Sequence, residues 1–142
     1  MTLYAITAYL RYRWRARGRH GTHSPFVYEF VEAVAQGPFA AQGSGDRYER
    51  LLSAIRSWYQ CDVVVIDHPQ PQQWPVLLQH QQPALHSGFV AVRNIHATPA
   101  HTAAWAALCA DAGIMMSMDL FGIGLLLTRP GFKVKQHFVV LY

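Results

Sequence analysis

The chain has 142 residues, 51% of them apolar and 14% charged, with a formal net charge of +4. That is one domain's length, enough to bury about two-thirds of the unfolded surface, and too apolar for a disordered tail or a collagen-like repeat. The longest apolar runs, such as 103–110, are too short to span a bilayer, and Cys61 and Cys109 form neither a disulfide framework nor a zinc-ligand pattern.

These properties read as one cytoplasmic domain, short enough of charge to leave apolar surface for self-association. The basicity is local. Residues 1–20 contain Arg11, Arg13, Arg15, Arg17 and Arg19 and no acid, whereas the remainder holds seven Lys/Arg against eight Asp/Glu. The apolar stretch 1–10 precedes the arginines, the reverse of a secretory signal.

Leu3, Ile6, Leu10 and Trp14 recur at helical spacing, which predicts a first helix burying that stripe, with Arg11 and Arg15 on its far side and a stop at Gly18. Ser24-Pro25 then suits an N-cap followed by the first helical position. Phe26, Val27, Phe30, Val31 and Val34 give that second helix its buried stripe. Residues 36–45 read as a loop, and Asp46 with Glu49 as a capping box. The third helix runs through Leu51, Leu52, Ile55 and Trp58.

The pattern then changes. Residues 61–67 form a short β-branched run, apolar on both faces and ending in Asp67, as a strand covered by helices on both sides reads. A helical segment at 74–85 is restricted by Pro75 and Pro83. Residues 88–95 predict a second strand and 99–112 an alanine-rich helix ending at Gly113. Residues 115–120 and 124–128 predict strands joined by a turn at Phe121-Gly122, and 136–142 a last strand. The architecture expected is a helical segment over 1–60 and a partial α/β sheet over 61–142, with parallel pairing between successive βα units.

The run Arg19-His20-Gly21-Thr22-His23-Ser24-Pro25-Phe26 resembles the "HG-HSPF" signature of a group of class I S-adenosylmethionine-dependent methyltransferase-like proteins common in Bacteroidetes. Asp119-Leu120-Phe121 with Gly122 and Gly124 is similar to that group's late "DLF-LG" strand and turn, and Gln136-His137-Phe138 to its closing strand. Residues 62–67 and 88–95 resemble the fourth and fifth strands. The resemblance implies a Rossmann-like sheet and S-adenosylmethionine as cofactor, with His23 and Ser24 as substrate-contacting or structural residues of the signature.

The departures are as informative. Such a cofactor needs a glycine-rich loop after a first strand and an acid after a second. Here the third helix leads directly into the fourth-strand equivalent. Gly43-Ser44-Gly45 has no strand before it, so no cofactor-binding residue is assigned. The expected fold is therefore α/β, a truncated Rossmann-like sheet of class I methyltransferase type with N-terminal helices. Metal-dependent relatives ligate an ion with an Asp after the fourth strand and an Asp-Asn pair after the fifth. Asp67 and Asn94 persist, but Arg93 stands where the second Asp would be, so no metal is expected and Arg93 is read as pairing with Asp67.

Asp67 and His68, at a strand's carboxyl end, are the catalytic candidates. The arm arginines Arg11, Arg13 and Arg15, interleaved with Tyr4, Tyr9, Tyr12 and Trp14, are the candidates for nucleic-acid or anionic-surface contact. Val63–Ile66, deprived of a partner strand, predicts an open edge, covered first by its copy in a homodimer or, as the alternative, by the N-terminal helices folding over it. The function expected is a methyltransferase-like protein without catalysis. The alternatives are an active enzyme whose pocket a second chain completes, or a basic-arm binding module.

Overall fold

A computed structural model of the chain describes residues 2–16, 24–36, 45–129 and 131–142. The expected stop at Gly18, the signature residue His23, Arg17, Arg19 and most of the 36–45 loop lie outside them. Helix α1 (Leu3–Arg15) starts where the Thr2 side chain accepts the Ala5 N–H. Its orientation corrects the sequence expectation. Leu3, Ile6, Leu10 and Trp14 face outward, 78%, 44%, 62% and 83% exposed, while Tyr12 is buried. Tyr4 and Tyr12, eight positions apart, hold the helix by their hydroxyls. Tyr12 donates to Val140 O at 2.6 Å and accepts from Tyr142 N at 2.9 Å, and Tyr4 donates to Thr102 Oγ1 at 2.6 Å. A buried hydroxyl with both roles satisfied outweighs the burial that the apolar stripe would have gained.

Helix α2 (Pro25–Phe30) carries the expected Ser24 cap and continues through a π-helical turn (Val31–Ala35). Its stripe, Val27, Phe30, Val31 and Val34, is buried as expected. Helix α3 (Arg47–Tyr59) opens with the predicted capping box: Asp46 Oδ1 accepts the Glu49 N–H and Glu49 Oε2 accepts the Asp46 N–H. Leu51, Leu52 and Ile55 are buried, but Trp58 stays 38% exposed.

Strand β1 (Val63–Ile66) follows α3 directly. A 3₁₀ turn (Pro71–Gln73) leads into α4 (Trp74–Gln79) and α5 (Gln82–Ser87), which occupy the proline-restricted helical segment expected at 74–85. Pro75 and Pro83 each lie in the first turn of their own helix, where the missing N–H costs nothing, and Pro83 prevents fusion of the two. Next come β2 (Phe89–Arg93), α6 (Pro99–Ala110), β3 (Met116–Asp119), β4 (Ile123–Leu127) and β5 (Gln136–Val139).

The five strands form one mixed sheet in the order β1-β2-β4-β3-β5. β1 and β2 are parallel, with Val63 opposite Phe89, and β3 and β5 are parallel, with Ser117 opposite His137. β4 runs antiparallel to both β2 and β3, because the short 120–122 turn permits only a hairpin. One face of the sheet (Phe89, Ala91, Met116, Met118, Leu125) packs under α2 and α3. The other (Ile66, Val90, Val92, Leu126) packs under α4, α5 and α6. Residues from both 1–60 and 61–142 therefore share the first core.

Candidate functional site

The sequence candidates at the ends of β1 and β2 do not converge on one chemical centre. Asp67 is exposed. His68 builds the following turn, its Nδ1 accepting the Gln70 N–H at 3.1 Å and its carbonyl accepting Trp74 Nε1–H. Arg93 pairs with Asp46 at 3.2 Å rather than with Asp67, because the α3 N-terminus lies in front of β2 and its cap carboxylate is nearer. The backbone N–H of Glu49 and the Arg93 guanidinium hold the Asp46 carboxyl below its usual range. Asn94 takes a left-handed conformation (φ 59°), its N–H donating to Gly122 O. Ser24 caps α2 through the Val27 N–H at 3.4 Å.

A different constellation lies where α1 and α6 meet over the carboxyl ends of β3 and β5. Met116-Ser117-Met118-Asp119 alternates along β3, so Ser117 and Asp119 share the face opposite the two methionines. Both are buried. Asp119 Oδ2 lies 2.6 Å from His96 Nε2, and its Oδ1 accepts the Phe121 N–H at 2.9 Å. His96 Nδ1 lies 2.9 Å from Thr102 Oγ1, which accepts the Tyr4 hydroxyl. A hydrogen-bonded chain thus runs Tyr4, Thr102, His96, Asp119, with the His96 ring stacked on Phe121.

Beside it, Ser117 Oγ lies 2.7 Å from His137 Nδ1, across the β3–β5 pairing. Burial lowers the His137 pKa from its ordinary value of 6.5, so the ring is neutral at neutral pH. Burial also pushes Cys109 up to about 11 and raises Cys61, which keeps both as unreactive thiols. Trp105 of α6 approaches Gly124 so closely that a Cβ there would lie 2.4 Å from the indole. These elements leave a cleft of about 360 Å³ lined by Arg15, His96, Thr102, Trp105, Asp119 and His137. A second hollow of about 150 Å³ shares Arg15, His96, Thr102 and Asp119 and adds Tyr4 and Arg11. Of the arm arginines, Arg15 therefore lines both hollows and Arg11 the smaller.

The cleft was not foreseen in the sequence. Only the alternation of Met116–Asp119, polar on one face of a fully buried strand, could have pointed to it.

The residues present do not fit S-adenosylmethionine in the manner the resemblance implies. Gly45, the described end of the Gly43-Ser44-Gly45 run, has φ +95°, and a Cβ there would meet Glu49 Oε2. Its freedom serves the α3 capping box, and no strand precedes it among the described residues. Among the described residues no three His, Cys, Asp or Glu side chains gather as a metal site. No helix among them is long and apolar enough to cross a membrane. No family model, curated protein or solved structure matches this chain.

Proposed function

We propose that the chain is a methyltransferase-like domain holding the C-terminal half of a Rossmann-like sheet, and that it acts by binding rather than by methyl transfer. The observation that carries this reading is the direct step from α3 into β1, which leaves β1 at the sheet's edge. In an open α/β sheet the nucleotide crevice lies at a switch point between strands on either side of a central strand. Here strands lie on only one side of β1 among the described residues. The strand–helix–strand order, closed by the β3–β4 hairpin, supports the truncated assignment.

A second copy of the chain completes the edge. Phe89 N–H donates to Asp62 O, so in a parallel ladder Val64 and Ile66 also face β2, and Val63 and Val65 turn outward. Arg56 Nη2 already donates to Val63 O at 3.3 Å. Val65, 37% exposed, is then the open centre about which two β1 strands pair antiparallel across a twofold axis.

Calorimetric titration with S-adenosylmethionine and S-adenosylhomocysteine tests the reading. No heat at about 1 mM ligand is expected, whereas a Kd near 1 µM would establish a pocket and overturn the non-catalytic assignment.

The outward stripe of α1 favours a second reading, an anionic surface as partner. Leu3, Ile6, Leu10 and Trp14 lie exposed on a helix that carries Arg13 and no acid. Apolar side chains flanked by arginine suit the interface of an anionic membrane. Co-sedimentation with phosphatidylglycerol vesicles but not phosphatidylcholine vesicles is the result expected, and equal recovery with both would dismiss it.

A further inference from the structure

Arg11 and Arg15, four residues apart on α1, both line the smaller hollow above β3 and β5, and Arg15 also lines the larger cleft beside it. Neither has a hydrogen-bond or ion-pair partner among the described residues, and α1 contains no acid. The acid lining the same hollow, Asp119, is a single carboxylate held by His96 and by the Phe121 N–H, so the two guanidiniums outnumber it. Two guanidiniums set against one carboxylate leave a positive excess that attracts a further anion. A second observation concerns the wall of the larger cleft, which shares Arg15, His96, Thr102 and Asp119 with that hollow. The Trp105 indole N–H is buried and has no acceptor among the described residues. The remaining lining includes Ala106, Cys109 and Ala110, which is apolar. Cationic groups at one side and an apolar body opposite match an organic anion better than a bare ion.

We propose that the two adjoining hollows between α1 and α6 together bind a small organic anion, its carboxylate or phosphate held by Arg11 and Arg15 in the smaller and its apolar body lying against Trp105 and Ala106 in the larger. The Tyr4-Thr102-His96-Asp119 chain acts as a positioning device. It ties α1 to α6 and to the end of β3, which fixes the width of the cleft and the placement of both arginines. This inference is independent of the methyltransferase resemblance and of the outward face of α1.

The test is a ¹H–¹⁵N NMR titration of the full chain with sodium benzoate and, separately, with inorganic phosphate, at constant ionic strength set with chloride. Saturable shifts at the Thr102, Ala106 and His137 amides are expected, with an apparent Kd on the order of 1 mM or tighter. Saturation by benzoate alone identifies a carboxylate with an apolar body. Saturation by phosphate identifies a phosphate ester as the natural class. Arg15→Gln and Arg11→Gln, both at exposed positions, should each weaken binding about tenfold or more while leaving the remaining spectrum in place. Tyr4→Phe should weaken binding less, and Tyr4→Phe combined with Arg15→Gln no more than Arg15→Gln alone. Linear, non-saturating shifts with both anions, or an affinity unchanged in the arginine variants, would overturn the proposal.

Discussion

Tyr12 shows how one side chain settles the placement of an element. Its hydroxyl bridges Val140 O and Tyr142 N, and burial pushes its pKa up to about 12, so it remains a donor at any ordinary pH. Tyr12→Phe leaves a buried carbonyl without its donor and should cost about 1–3 kcal/mol, measured as a lower urea midpoint at unchanged m-value. His137 gives stability a pH dependence. Its ring, near Asp119, Arg15 and His96, is held neutral by burial, so the unfolded chain takes up its proton first. Stability from this residue is complete above 6.5 and falls as the pH drops below that value. Thermal melts at pH 7 and pH 5 should therefore differ less in His137→Gln, which keeps a polar partner for Ser117, than in the parent.

At the scale of elements, the cleft depends on how near α6 sits to the sheet. Gly124 lets the Trp105 ring lie almost on the β4 backbone. Gly124→Ala should destabilise by about 1–3 kcal/mol, because the added methyl must displace the buried ring that lies against it. Combining it with Trp105→Leu should recover part of that loss, a non-additivity read from melting temperatures. Helix α1 behaves differently. Leu10 on its outward stripe is 62% exposed, so Leu10→Glu should change stability by no more than about 0.5 kcal/mol while abolishing any vesicle binding.

For the whole molecule the open edge of β1 decides the state in solution. A twofold pairing through Val65 predicts a dimer by light scattering at about 10 µM, and Val65→Lys should return the particle to a monomer with its melting curve intact. A monomeric parent would mean that the edge is managed within the chain, as Arg56 already manages Val63 O.

Local chemistry was legible in the residues themselves. The Asp46–Glu49 box, the Ser24-Pro25 start, the β-branched run of β1 and the alternating β3 all act within a few positions of each other, where spacing along the chain equals spacing in space. Helix α1 was legible as a helix but not in its facing. Its apolar stripe and its tyrosine row are both periodic, and hydroxyl partners at Thr102 and Val140 chose between them. The same limit hid the cleft. Tyr4, Thr102, His96 and Asp119 lie up to 115 positions apart, and they meet because β4 inserts between β2 and β3 and brings α6 under α1. Contacts of that range carry no period, so folding creates them and no stretch of chain announces them.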